Sequence, residues 1–132
     1  MEIRYTTALP TAESIYELYG HLDWNGFLQL DQHQLMQAME QSWCVVAAYH
    51  GDRLVGTGRI ISDGVINGYL CGLGVHKDYR KQGIGTAITH SLIAQGKKHH
   101  LHLQFFCESH LVPYYEKMNF EVFAVGMKDK QD

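Results

Sequence analysis

The densest group of chemistry-bearing residues lies in the run Gly72-Leu73-Gly74-Val75-His76-Lys77-Asp78-Tyr79-Arg80-Lys81-Gln82-Gly83-Ile84-Gly85, which leads into the apolar, helix-forming segment 86–98. It reads as strand, basic loop, glycine-rich turn and helix. Glycines at 83 and 85 let the main chain approach a ligand with no Cβ in between, and the first N–H groups of the following helix lack carbonyl partners of their own. The partial positive charge of that helix end, with Arg80 and Lys81 just upstream, suits a phosphate or pyrophosphate. Two phosphate motifs do not fit. A P-loop needs Lys and then Ser or Thr directly after its last glycine, whereas Gly85 is followed by Thr86-Ala87. The dinucleotide pattern needs a third glycine that Gly83-x-Gly85 lacks, and Gly72-x-Gly74 lies inside the strand.

The pattern Arg80-x-x-Gly83-x-Gly85, preceded by a strand ending at Val75, resembles the acetyl-CoA-binding signature Gln/Arg-x-x-Gly-x-Gly/Ala of the GNAT superfamily of N-acetyltransferases. A second match follows at the expected distance. Pro113-Tyr114-Tyr115-Glu116-Lys117-Met118-Asn119-Phe120 is similar to that family's Tyr-Glu-Lys-x-Gly-Phe segment, and between the two there is room for one helix and one strand. The resemblance covers nearly the whole chain, residues 1–132, as one GNAT domain.

The resemblance implies a GNAT fold and acetyl-CoA as acetyl donor. The third and fourth long strands counted from Leu54 are then expected to splay apart, with the pantetheine arm between them. Main-chain groups of Leu73, Gly74 and Val75 would bind the arm and the acetyl group, and amides of Arg80, Lys81, Gln82, Gly83, Ile84, Gly85 and Thr86 would hold the pyrophosphate. Tyr115, just before Glu116-Lys117, stands at the family's general-acid position. A phenol, with a solution pKa of about 10, can protonate a departing thiolate while staying neutral at pH 7. Asn119 stands where the family usually has glycine, and asparagine tolerates the left-handed conformation that a helix end needs there.

An alkylamine acceptor is protonated near neutrality and must lose a proton before it can attack. Many GNAT enzymes are taken to use a carboxylate near the motif strand, but Cys71, Gly72, Leu73 and Gly74 supply none. Glu108, His110 and Asp23 are the candidates elsewhere, each also readable as a solvated surface residue. Cys71 invites an acetyl-thioester relay, but no adjacent base would make its thiolate, and direct transfer is the simpler expectation. His99-His100-x-His102 lacks accompanying Cys or carboxylates, so no metal is expected. Trp24 and Phe27, with Trp43 as a further aromatic and Glu108 at the rim, would wall an acceptor site suited to an arylalkylamine. The function that follows is acetyl transfer to a primary amine of a small molecule. Two others stay open: a non-catalytic acyl-CoA sensor and a protein or peptide amine acetyltransferase.

The elements that must position these residues follow from pattern. Residues 3–8 read as a strand, Thr11 as the cap of a helix over 12–19, residues 21–28 as an aromatic loop, and Asp31 as the cap of a helix running through 41. Strands are expected over 43–50, 54–61 and 66–75, a helix to residue 98, a strand over 101–107, a short helix over 113–118 and a closing strand over 121–127. This is an α+β pattern (α/β sandwich-like), with a central mixed, mostly antiparallel sheet flanked by about four helices. A chain of 132 residues is large enough for one proper core. Its three cysteines suit reduced thiols in the cytoplasm more than a disulfide framework. A net charge of −3 argues against nucleic acid or an anionic membrane as main partner, and the first residues contain no apolar core of signal-peptide length. The resemblance adds a homodimer, since small GNAT proteins are often dimers.

Overall fold

In the computed structural model, which describes residues 1–22 and 24–131 (the backbone alone at Phe27), the chain opens on a short strand and three helices: β1 (Arg4–Thr6), α1 (Ala12–His21), α2 (Trp24–Leu28) and α3 (Gln32–Glu40). The long strands β2 (Cys44–His50), β3 (Arg53–Ser62) and β4 (Asn67–Val75) follow, and then a 3-10 turn at Lys77–Tyr79. The chain continues through α4 (Ile84–Lys98), the short strand β5 (His102–Gln104), a 3-10 turn at Ser109–Leu111 and α5 (Val112–Glu116). The sheet runs β1-β2-β3-β4-β5 in space, antiparallel up to β4 and parallel between β4 and β5. A parallel neighbour requires a long crossover, and α4 is that crossover. The mixed, mostly antiparallel α+β sheet is as expected, with five helices instead of about four.

Strand alternation divides the core. Val45 and Ala47 face α1 and α3, where they meet Ile15, Leu18, Leu35 and Met39; Val46 and Ala48 face α4 and meet Ile84, Ile88 and Leu92. Burying each such aliphatic side chain contributes on the order of 2 kcal/mol. The three α4 residues recur every four positions, so one stripe pins that helix from its first turn and leaves its N-terminal end fixed beside β4. The caps foreseen at Thr11 and Asp31 are formed. Thr11 Oγ1 accepts from the Ser14 N–H at 3.2 Å, and Asp31 and Gln34 make a reciprocal capping box.

Three expectations need correction. The segment expected as an aromatic loop contains α2, too short to show a period; the Asn25 side chain clamps its exit, donating to Leu30 O and accepting from Leu30 N–H, both at 2.8 Å. Gly20, read as ending α1, lies inside it, and the cap falls at Leu22. Residues 121–127 form no strand. Val125 and Met127 are 88% and 91% exposed and no ladder among the described residues includes this segment, because a strand needs a partner and β5 stops at Gln104.

Candidate active site

The parallel ladder pairs Asn67, Gly68 and Tyr69 with His102, Leu103 and Gln104 and then stops, while β4 continues to Val75. From Leu70 onward β4 has no strand partner on that side among the described residues, and the gap this leaves beside β4 is the candidate cleft. Counted from Leu54 these are the second and third long strands, one place earlier than the splay expected from the sequence. Leu73, Gly74 and Val75 all lie on the unpaired stretch.

Beyond β4 the chain is held in a fixed turn. The His76 N–H donates to Val55 O at 2.8 Å, the Tyr79 N–H to His76 O at 2.8 Å, and the Arg80 Nε–H reaches back to Val75 O at 3.0 Å. The Arg80 guanidinium is thus partly spent on the turn itself. Lys81 and Gly83 adopt left-handed conformations, φ 64 and φ 81, and Gly83 is the N-cap of α4 without any side-chain cap. The first helical bond runs from the Ala87 N–H to Gly83 O at 3.0 Å, which leaves the N–H groups of Ile84, Gly85 and Thr86 without intrahelical partners. Arg80, Lys81, Gln82 and Gly83 are exposed around them. This donor set, three amides at the positive end of a 15-residue helix below an unpaired strand edge, fits a pyrophosphate joined to an extended arm.

His76, which carried no role in the sequence reading, is the buried hinge of the turn, 1% exposed. Its Nδ1 accepts from the Asp78 N–H at 3.1 Å, Nε2 lies 3.1 Å from Arg53 Nη2, and its ring packs at a tilt against His21 with centroids 4.3 Å apart. Burial pushes the imidazole pKa down, and the His21, Arg53 and Lys77 charges push the same way against the weaker pull of Asp78. Protonation would remove the ring's one acceptor lone pair, on Nδ1, and with it the bond from the Asp78 N–H. Because the folded pKa lies below the ordinary 6.5, the unfolded chain binds more protons in the interval between the two. The stabilisation is therefore complete above pH 6.5 and is lost as pH falls through the lowered value. Urea unfolding at a series of pH values should show stability declining below that point, with a shallower decline in His76→Asn, whose amide can still accept from Asp78.

Across the cleft, Tyr115 is half-buried, its ring edge-on to Phe105 at 4.6 Å and to Phe120 at 6.4 Å. Burial raises its phenol pKa, and Tyr114 and Cys107 add to the rise, so the hydroxyl is held protonated at neutral pH. The neighbouring Tyr114 turns the other way. Its hydroxyl bonds Thr86 Oγ1 at 2.5 Å, tying α5 to the first turn of α4. Asn119 has φ 69, the left-handed helix end anticipated from its type.

On the opposite side of β4, Trp24 stands over Gly74: a Cβ there would lie 2.8 Å from the indole and 2.6 Å from Leu22. Tyr19 packs edge-on to Trp24 at 5.2 Å. Asp23 and the Phe27 side chain lie outside the described residues. Glu108 is exposed and pairs with His110 at 3.4 Å, and neither contacts Trp24 among the described residues. Burial raises the Cys71 thiol pKa, with Arg59 pulling weakly against it, so this thiol is a poor nucleophile. His99 and His102 are engaged with Trp43 and Phe123 rings at 5.0 and 5.9 Å. An apolar cavity of about 1200 Å³ lies along β5, α5 and residues 120–128, lined by Tyr115 but by none of the residues of the 72–86 run. No described helix is long and apolar enough to cross a membrane. The sequence reading missed His76, the Tyr114–Thr86 tie and Arg59; for Arg59 the signal was present, a lone cation in the otherwise uncharged strand 54–61.

Comparison with known proteins agrees with this geometry. A family model described as an acetyltransferase (GNAT) domain matches residues 19–130. A probable acetyltransferase from methicillin-resistant Staphylococcus aureus superposes with a TM-score of 0.81 at 22% identity, covering 98% of this chain and 99% of the other. A Trypanosoma brucei acetyltransferase gives 0.78 at 19% identity, with 98% and 99% covered. Glucosamine-6-phosphate N-acetyltransferase from Arabidopsis thaliana gives 0.75 at 12%, with both chains covered entirely. In sequence the chain is similar to a Glycine max protein named histone acetyltransferase TAP1, 26% identical over 126 residues, covering 86% of this chain and 54% of the relative, so it spans about half of that protein's length. With the family model running through the cofactor turn and the tyrosine helix alike, the chain belongs to the GNAT family of acetyltransferases and is an acyltransferase.

Proposed function

We propose that the chain transfers the acetyl group of acetyl-CoA to the primary amine of a small molecule, with an arylalkylamine skeleton as the acceptor class, by direct attack in a ternary complex. The observation that supports this reading is the end of the β4–β5 ladder at Tyr69 and Gln104, which leaves the rest of β4 unpaired on that side, next to Trp24 and to the free amides of α4, while the Tyr114–Thr86 bond ties α5 to the first turn of α4. Acetyl-CoA supplies an acyl thioester. The amides of Ile84, Gly85 and Thr86 hold its pyrophosphate, and main-chain groups of Leu73, Gly74 and Val75 receive the arm and polarise the acyl oxygen. The amine gives up its proton to water, with Glu108, His110 or Asp23 as base, and its nitrogen forms the new C–N bond as the C–S bond breaks. Tyr115 then protonates the sulfur, and the second proton shed by the acylated nitrogen restores its phenol. The raised Cys71 pKa favours this route over a thioester relay.

The test is a calorimetric titration of the protein with acetyl-CoA beside dephospho-CoA and ATP, followed by an amine panel read by CoA release. We expect acetyl-CoA to bind and ATP not to. A folded sample that takes up no acetyl-CoA would end this reading. A lysine peptide belongs in the panel, because the similarity to a protein named a histone acetyltransferase makes a protein amine the second acceptor class. The reading carries with it a cytoplasmic homodimer that works without a metal; light scattering decides the oligomeric state.

A further inference from the structure

Arg59 is the one charged side chain of β3 between its ends, and it stands opposite Cys71 of β4. Its Nη1 donates to Ser42 Oγ at 3.3 Å, and the Tyr19 and Tyr69 phenols and the Cys71 thiol are close enough to feel its charge. Its Nε is fully buried and has no hydrogen-bond partner among the described residues. The three ion pairs among the described residues are Arg53–Glu17, His76–Asp78 and His110–Glu108, and none of them uses Arg59. A guanidinium has five donors and cannot shed its proton, so removing it partly from water against neutral hydroxyls and a thiol leaves much of its charge unanswered.

Its position gives that charge a use. Gly72 has φ 64, and a Cβ built on it would lie 3.1 Å from Arg59 Nε, so the guanidinium lies over the bare backbone of Gly72. The next residues, Leu73 and Gly74, are those assigned to the acetyl arm, and Trp24 covers Gly74 on this same side. Tyr19 stands between the two, its phenol feeling the Arg59 charge and its ring packed edge-on to Trp24. Arg59, Tyr19 and Trp24 therefore line one continuous strip beside the acetyl position, cationic at one end and aromatic at the other. Tyr69 and Cys71, also half-buried, complete the cationic end.

We propose that Arg59 is the anion-binding element of the acceptor site, and that the acceptor carries a carboxylate a short spacer from its amine, as an aromatic amino acid does. This rests on the acetyltransferase reading above. A carboxylate meets the planar fork of arginine with two parallel hydrogen bonds, and beside Gly72 it would also satisfy the orphaned Nε–H. A simple arylalkylamine would fill the aromatic end and leave the cation bare.

The test uses matched pairs, phenylalanine with phenethylamine and tyrosine with tyramine. Each is titrated calorimetrically into the CoA-loaded protein and assayed with acetyl-CoA. Charge-assisted bonds to a guanidinium predict that the carboxylated member of each pair is favoured about ten- to a hundredfold in wild type. Arg59→Gln should bring that ratio close to one. Gly72→Asp should do the same with the arginine retained, since aspartate tolerates a positive φ and sets its own carboxylate against Nε. A purely structural Arg59 would lower both members in parallel and leave their ratio standing. That result overturns the proposal, as does equal affinity, or none, for both members in CoA-loaded wild type. Failure to take up CoA at all is a separate result and removes the underlying reading instead.

Discussion

Replacing Gly83 with valine should raise the dissociation constant for acetyl-CoA about tenfold or more, since left-handed backbone costs an L-residue about 1–2 kcal/mol and a β-branched one the upper part of that range. The cause is conformational and local. Gly83 has φ 81, and a Cβ there would meet no atom within 4 Å, so the substitution introduces no clash. The chain can keep the left-handed turn at that energetic cost, or relax to negative φ and carry the N–H groups of Ile84, Gly85 and Thr86 away from their common direction. A β-branched residue favours the second, and binding must then restore the turn at that cost, which weakens a site made of those three amides. Global stability should change little by comparison, because Ile88 and Leu92 continue to anchor α4. Gly83→Asn is the control: asparagine visits the left-handed region readily, and Lys81, at φ 64 two residues earlier, shows that this loop accommodates a side chain there. Calorimetry on the three proteins decides. Unchanged affinity in the valine variant would mean that the α4 turn does not hold the pyrophosphate.

What could be read from the sequence was whatever depends on near neighbours in the chain. The glycines at 83 and 85, the caps at Thr11 and Asp31, and the four-residue spacing of Ile84, Ile88 and Leu92 specify conformation through contacts within a few residues, and the structure has them. The extended character of residues 121–127 was equally readable, but strandedness is a property of a pair. Apolar residues stand on both of its faces, 123, 125 and 127 on one and 122 and 124 on the other, so no single face directs it onto β5. The cleft followed from the family resemblance, and its place in the strand order came out one strand away. Its boundary is a tertiary fact, the point at which β5 leaves β4, and no local signal marks Gln104 as the last paired residue. The two polar features that sequence reading passed over, His76 and Arg59, acquire meaning only through distant partners: Arg53 and His21 for the first, Tyr19 and Ser42 for the second. An isolated charge in a strand, such as Arg59, is the one kind of long-range requirement that does leave a mark in the sequence, because a buried cation needs an answer from somewhere.

Tyr115→Phe should lower kcat by about a hundredfold or more, the usual weight of a positioned general acid, and leave the acetyl-CoA dissociation constant unchanged. The ring makes the packing contacts with Phe105 and Phe120, and phenylalanine preserves them, so α5 should stay in place and only the proton donor is lost. The pH profile separates this role from a structural one. Burial raises the phenol pKa above its ordinary 10.0, so the donor is fully protonated through neutrality, and wild-type activity should hold until the pH climbs through that raised value and then fall. In the phenylalanine variant the alkaline fall attributable to the phenol should be absent. Tyr114→Phe provides the contrast, because that hydroxyl is engaged with Thr86 at the head of α4. Its loss loosens the tie between α5 and the phosphate turn, so it should weaken acetyl-CoA binding and leave the alkaline limb intact. If instead Tyr115→Phe turns over at the wild-type rate across the pH range while Tyr114→Phe loses the limb, the proton donor is Tyr114, and its bond to Thr86 must be broken each time the cleft is loaded.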